Sequence, residues 1–254
     1  MLGALLAVSL AQAAPTMSAA LLSPSGDSVL MQDDGYDARP DRFVKAFCGA
    51  HATTVKFKSK RPDSDDAPSN WTQRNFDKLP GSVFTLGTRV PVDEDAPYCV
   101  LMTEAAAKDV TAVAVKNETK DCDADTKTRL AKVSKVKLAR CKQVATFDGG
   151  ALYFLDSARK KKVKPVVRFV ALVGEDAIVK EIKASSSEQP SCWRVDDGCE
   201  FEPDFYRPLV VLKQGSELGV VILWAGAEGN NLLIDQTSNR RFKEVNLGSF
   251  YNSP

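Results

Sequence analysis

Two stretches of sequence decide the fold: Val220-Val221-Ile222-Leu223-Trp224 (residues 220–224) and Val166-Val167-Arg168-Phe169-Val170-Ala171-Leu172 (residues 166–172). Both are rich in β-branched and aromatic residues, which favour strands. A strand with one face in water alternates polar and apolar residues, and neither stretch does so. We therefore expect strands covered on both faces, as in a sandwich or in a sheet flanked by helices. A barrel surrounded by water would have a polar outer face and fits these strands poorly.

Around these two stretches, the second half of the chain contains eight candidate strands joined mostly by turn sequences. We expect the strands at 143–147, 151–156, 163–173, 177–183, 209–213, 218–225, 231–235 and 241–245. The links between them are rich in Gly, Asp, Asn and Ser, which is typical of tight turns. This pattern predicts an antiparallel β-meander, interrupted once by the long segment 184–208.

The first half is expected to combine short helices with a few strands. Pro40 precedes two apolar i,i+4 pairs, Phe43/Phe47 and Val44/Cys48, and this spacing predicts a helix. A second short helix is expected at 71–78, and strands are expected at 83–90, 99–103 and 111–115. The predicted fold is therefore mainly β, of the α+β class. It has an antiparallel meander or sandwich in the C-terminal half, short N-terminal helices and disulfide staples.

The N-terminus has the pattern of a secretory signal. An apolar run at 2–14 includes Ala11-Gln12-Ala13, an A-x-A cleavage pattern, although no Lys or Arg precedes the run. We expect a signal peptide at 1–13, a flexible mature N-terminus at 14–38, a small α+β region at 39–125 and an antiparallel β domain at 126–254. One domain spanning both regions is the alternative. The expected location is secreted or periplasmic, with no membrane span.

The cysteines point to the same compartment. There are six, an even number, which in a secreted chain favours disulfides: Cys48, Cys99, Cys122, Cys141, Cys192 and Cys199. Sequence alone cannot choose the pairing. We expect neighbours along the chain to pair, which gives 48 with 99, 122 with 141 and 192 with 199. The alternative is a set of free, buried thiols.

The net charge of +1 conceals an uneven distribution. Residues 1–126 contain 13 Lys/Arg and 18 Asp/Glu, residues 127–164 contain 12 and 2, and residues 165–254 contain 9 and 13. If strands 143–147 and 151–156 pair, the basic runs on either side of them leave the same end of a hairpin. The expected basic patch consists of Lys135, Lys137, Arg140, Arg159, Lys160, Lys161, Lys162 and Lys164. It could hold a polyanion, or its lysines could simply prevent aggregation at turns and strand edges.

An acidic cluster is the second candidate site. Glu200, Glu202 and Asp204 alternate, so an extended backbone would place three carboxylates on one side. Crowded carboxylates can bind a cation or support acid/base chemistry. A surface loop held by its own aromatic residues explains the same pattern.

Two further motifs are incomplete. The run Asp121-Cys122-Asp123-Ala124-Asp125 begins like a calcium loop, but Thr126 and Lys132 stand where the loop needs Gly and Glu. The single histidine, His51, lies three residues after Cys48, and a nucleophilic pair there would need a free thiol.

No motif of a hydrolase, a metalloprotease, a P-loop or a dinucleotide site occurs in the chain. We therefore expect a non-catalytic binding or interaction protein without a metal or cofactor. Its expected partner is a polyanion or another extracellular protein. Two alternatives stay open: a secreted, carboxylate-dependent hydrolase of the glycosidase type, and a carrier of a small apolar ligand.

Overall fold

This computed structural model describes residues 16–32, 39–157, 166–182, 202–226 and 229–251. Most of these residues lie in β-strands. The first sheet contains β1 (Met17–Leu22), β2 (Ser28–Met31), β3 (Phe43–Cys48), β4 (His51–Arg61), β5 (Gly81–Leu86) and β6 (Tyr98–Thr103). Its strands pair in the order β1-β2-β5-β4-β3-β6, and β6 pairs back to β1. The sheet is therefore a closed six-stranded barrel.

The second sheet closes into a nine-stranded barrel. Its strands are β7 (Val110–Asp121), β8 (Leu138–Phe147), β9 (Gly150–Ser157), β10 (Val167–Val173), β11 (Asp176–Ile182), β12 (Tyr206–Gln214), β13 (Glu217–Ala225), β14 (Gly229–Ser238) and β15 (Arg241–Tyr251). They pair in the order β10-β11-β15-β14-β13-β12-β7-β8-β9, and β9 pairs back to β10. All these pairings are antiparallel except that of β11 with β15.

Helices are few and short. The helix α1 (Glu104–Ala107) lies in the link between the barrels, and α2 (Ala124–Ser134) connects β7 to β8. Single 3-10 segments occur at Pro40–Arg42, Gln73–Lys78 and Pro203–Phe205. Within the described ranges, no helix combines the length and the apolar character needed to cross a bilayer.

The prediction of a mainly β, antiparallel fold is confirmed, and each of the eight strands predicted after residue 143 overlaps one of β8 to β15. The layers differ from the predicted sandwich, because each sheet closes on itself. In β13, Val220 and Ile222 point into the nine-stranded barrel, whereas Val221 and Leu223 point outward. The outward residues are apolar because the six-stranded barrel covers them. The outward apolar face of β13 therefore packs on the six-stranded barrel rather than on helices.

The contact between the barrels is an apolar layer, which we call the barrel interface. The six-stranded barrel contributes outward side chains of β1, β3 and β6, including Leu21 and Val100. The nine-stranded barrel contributes Val221, Leu232 and other outward residues of β12 to β15. The backbones also come close, since a Cβ atom added to Gly248 would lie 3.0 Å from the Cβ atom of Ala19. Two convex sheets can pack this closely only where small residues allow it.

A smaller apolar cluster covers the opposite wall of the nine-stranded barrel. Leu130 of α2 is fully buried and packs against outward side chains of β9 and β10, including Leu155 and Val170. The apolar stretch at 166–172 therefore also has two covered faces, one inside the barrel and one beneath this helix.

Three expectations for the first half differ from the structure. Residues 43–48 form β3 rather than a helix, after a single 3-10 segment at Pro40–Arg42. Residues 17–31, expected in a flexible tail, contain β1 and β2. The two barrels are joined between Thr103 and Val110, whereas the expected regions met at 125/126. The segment Gln73–Lys78 is a 3-10 helix, close to the short helix expected at 71–78.

An ionic cluster lies where the nine-stranded barrel closes. The strands β11 and β15 share one ladder pair, Val179 with Arg241. Next to it the ammonium of Lys180 contacts the carboxylates of Asp235, at 2.7 Å, and of Glu244. Asp235 is 1% exposed and lies on the same side of β14 as the interior residue Leu233. The cluster therefore links β11, β14 and β15 from inside the barrel, where the backbone ladder is sparse.

Truncation of Phe250 tests the barrel interface. Phe250 is 1% exposed. Its ring centroid lies 4.5 Å from that of Tyr98, on which it stacks, and 6.1 Å from that of Trp71. We expect Phe250→Ala to lower the free energy of unfolding by about 3–5 kcal/mol, measured by chemical denaturation. The control Val133→Ala, at an exposed position of α2, is expected to change it by less than about 0.5 kcal/mol. Equal effects of the two variants would contradict the interface.

Removal of Lys180 tests the ionic cluster. Lys180→Met removes the ammonium group that contacts the buried Asp235 carboxylate. Breaking a buried ion pair in this way typically lowers the free energy of unfolding by about 3–5 kcal/mol. The control is Lys243→Met, an exposed lysine on the neighbouring strand β15. Amide hydrogen exchange is expected to accelerate first in β11. Unchanged exchange there would show that the cluster does not hold the closure.

Candidate anion-binding surface

A side-chain cap and a disulfide hold the start of the helix α2. Asp123 caps its first turn, because one carboxylate oxygen accepts a hydrogen bond from the Thr126 backbone N–H at 2.7 Å and the other accepts from the Thr126 hydroxyl at 2.9 Å. These hydrogen bonds lower the pKa of Asp123. The Cys122–Cys141 disulfide ties the residue before the cap to β8. The helix ends at Lys135, whose left-handed backbone (φ 57°) terminates it.

This fixed helix presents lysines to solvent. Lys127, Lys132 and Lys135 are exposed on α2, and Lys137 is exposed just before β8. We call these four side chains the α2 lysines. Within the part of the chain that the structure describes, none of the four makes an ion pair with a carboxylate. The neighbouring Arg129 instead donates a hydrogen bond to the carbonyl of Gly174 at 2.7 Å, which ties the helix to the β10–β11 turn.

Arg140, a member of the predicted patch, is engaged by carboxylates. Its Nε donates to Asp156 at 2.6 Å, and its Nη1 lies 3.5 Å from a carboxylate oxygen of Glu202. Burial lowers the pKa of Arg140, while the hydrogen bonds and charges of Asp156 and Glu202 raise it by more. This is a structural ion-pair network, so Arg140 is not an open site for an external anion.

The same contact changes the predicted acidic cluster. Glu202, expected to face a ligand, faces Arg140 instead. Asp204 accepts a hydrogen bond from the Thr119 hydroxyl at 3.2 Å, on β7. Of the predicted patch, the structure thus leaves Lys135 and Lys137 exposed. Arg159, Lys160, Lys161, Lys162, Lys164 and Glu200 lie outside the described residues.

The incomplete calcium motif has a structural use. Asp121 makes an ion pair with Lys142 at 3.1 Å, and Asp123 caps α2. Among the described residues, no group of three His, Cys, Asp or Glu side chains could hold a metal ion. Below the helix, Tyr153 is buried; this burial raises its pKa, and the nearby Asp123 charge raises it further. The phenol therefore stays protonated at neutral pH and does not supply a base.

The disulfide prediction is confirmed for two pairs. Cys48 pairs with Cys99 across β3 and β6, and Cys122 pairs with Cys141. The remaining pair, Cys192 and Cys199, lies outside the described residues. Because Cys48 is oxidised, His51 has no thiolate partner there, and its side chain is exposed at the β3–β4 turn. The proposed Cys–His chemistry is therefore absent at this position.

Within the described residues, the clefts between the barrels and the barrel interiors do not have the lining that the hydrolase and carrier alternatives need. Two clefts of about 280 and 260 Å³ lie between the barrels, and each is lined by one carboxylate, Glu217 or Asp93. Glycoside hydrolysis uses a pair of carboxylates. The interiors of both barrels hold large, fully buried side chains, such as Phe84 in the first barrel and Phe154 and Phe169 in the second. Such packed interiors resemble a core rather than a ligand cavity.

The charge totals over long segments did not reveal a second basic stretch. Residues 42–62 contain six Lys/Arg and no Asp/Glu. The total for residues 1–126 is acidic, so summing over that long segment concealed it. The structure places this stretch on β3 and β4. A shorter window for the charge count would have found it.

Comparison with known proteins adds no relative: no family model, no curated protein and no solved structure matches the chain.

Proposed function

We propose that the protein is a non-catalytic binding protein that engages a polyanion through the α2 lysines. The observation that carries this proposal is a set of four exposed lysines that have no carboxylate partner among the described residues. They lie on and beside a helix held by a cap, a disulfide and a buried leucine. A rigid helix holds its charges at constant spacing, so binding requires little ordering of the protein backbone. The side chains alone become ordered.

The residue type indicates what kind of anion this surface suits. Lysine is a compact, strongly hydrated point charge, whereas bidentate recognition of one phosphate or carboxylate favours arginine. A group of exposed lysines therefore suits an extended chain of anionic groups, recognised by charge density rather than by a fixed group geometry. Acidic polysaccharides have this character. Such binding weakens with salt, since exposed charges are screened over about 10 Å at 0.1 M ionic strength.

Reversing two charges tests this surface, with immobilised heparin as the probe. We expect the wild-type protein to bind heparin in 50 mM NaCl and to elute as salt rises. The double variant Lys132→Glu/Lys135→Glu is expected to bind about tenfold more weakly, which corresponds to about 1.4 kcal/mol. The same comparison in 300 mM NaCl is expected to show a smaller difference, because salt screens the exposed charges.

A matched control separates a local site from overall charge. The variant Arg74→Glu/Lys78→Glu makes the same charge change at exposed positions of the six-stranded barrel. It is expected to retain nearly wild-type affinity for heparin. Equal weakening by both variants would point to net charge alone, and failure of the wild-type protein to bind in 50 mM NaCl would remove the proposal.

We further propose that the protein acts in an oxidising compartment outside the cytoplasm. Two disulfides support this, because such bonds persist in secreted and periplasmic proteins. The apolar run at 2–14 with its A-x-A pattern supports export. Cleavage after Ala13 is expected to give a mature chain that begins at Ala14. Intact mass and N-terminal sequencing of the protein from its own source test this, and a mature chain that retains residues 1–13 would contradict it.

A further inference from the structure

A wide groove lies on the outer surface of the six-stranded barrel, on the other barrel from the α2 lysines. It measures about 1150 Å³ and runs between β3, the start of β4 and the link that contains α1. We call it the β3–β4 groove. The residues that matter for its chemistry are Arg42, Val44, Lys45, Thr54, Ala105 and Lys108.

The groove contains an exposed apolar side chain, Val44, at a β-bulge in β3. The register of β3 against β6 shifts between Phe43 and Lys45, so Val44 is an extra residue in a β-bulge. Phe43 points into the barrel and is 1% exposed, whereas Val44 is 37% exposed. A bulge of this kind redirects a side chain out of the regular alternation. Ala105 of α1, also exposed, lines the same groove.

The sides of the groove are basic. Lys45 lies directly opposite Thr54 in the β3–β4 ladder, and Lys56 is two residues further along the same outer face. Among the described residues, neither lysine has a carboxylate partner. Lys108 lines the side formed by the link between the barrels.

Among the described residues, fewer carboxylates than basic side chains line the groove. Asp41 is held by Arg39 at 3.1 Å, and that hydrogen bond lowers the pKa of the carboxyl. Glu104 is the second carboxylate of the described lining. Arg39, Arg42, Lys45 and Lys108 line the groove against Asp41 and Glu104, so its described lining carries more positive than negative side chains.

From this combination we propose that the β3–β4 groove docks an acidic peptide segment of a partner protein, one that alternates acidic and apolar side chains. Charge complementarity selects the acidic groups. Val44 and Ala105 are exposed apolar side chains. A ligand that places apolar side chains on them gains binding free energy from the buried apolar surface, and a purely hydrophilic polyanion does not. Both β3 and β4 are already paired on their two sides, so the contacts are made by side chains rather than by adding a strand.

This inference is independent of the α2 lysines, which lie on the nine-stranded barrel. A fluorescein-labelled octapeptide of alternating Glu and Val is the probe, and binding is followed by fluorescence polarisation in 50 mM NaCl. We expect Lys45→Glu/Lys56→Glu to weaken binding at least tenfold. Arg74→Glu/Lys78→Glu, the matched charge control, is expected to change it less than twofold. The α2 variant Lys132→Glu/Lys135→Glu is expected to leave it unchanged.

The apolar contribution is tested separately with Val44→Ser. This change is expected to weaken binding of the Glu-Val peptide about fivefold and to leave binding of an all-glutamate octapeptide unchanged. Thermal unfolding of each variant checks that the barrel is intact. The proposal is overturned if the wild-type protein does not bind the Glu-Val peptide. It is equally overturned if Val44→Ser affects both peptides alike, which would mark a surface for polyanions in general.

Discussion

The packing of one barrel against the other is the constraint on which the rest of the molecule depends. A closed barrel satisfies its own backbone hydrogen bonds, but its outer surface must be polar unless another element covers it. Here β1, β3 and β6 on one side and β12 to β15 on the other carry outward apolar residues, among them Leu21, Val221 and Leu232. Neither surface is compatible with water. The two barrels therefore share one apolar layer, although each has its own interior.

The same double coverage explains which parts of the fold could be predicted from sequence. Strands β8 to β15 are long, rich in Val, Ile and Leu, and separated by Gly- and Asn-containing turns, so their existence was evident. The strand β3 was not evident from the sequence. Its apolar residues lie on both faces, so polar and apolar residues do not alternate along it. Its bulge at Val44 then placed Phe43 and Phe47 at a spacing of four on opposite faces. Sequence spacing alone cannot distinguish this arrangement from one face of a helix.

The candidate site shows the same limit for charges. The basic character of residues 127–142 was visible in the sequence, whereas the two confirmed disulfide pairs were an expectation that sequence alone could not decide. Which charges are neutralised depends on contacts far apart in sequence. Arg140 meets Glu202, 62 positions later, because the 3-10 segment Pro203–Phe205 packs against β8. Lys180 meets Asp235 and Glu244 for a comparable reason, the closure of the barrel. Such pairings follow from topology, which a linear charge count does not contain.

The order of the barrels along the chain has a consequence for biosynthesis. Every strand of the six-stranded barrel has been made by Thr103, yet most residues that cover its apolar face lie between Val210 and Phe250. At typical synthesis rates, about five to thirty seconds separate these two points. During that interval a nascent first barrel presents Leu21, Val100 and Met102 without a partner. The apolar outer face of the first barrel is therefore covered only after the last hairpin, β14 and β15, has been made.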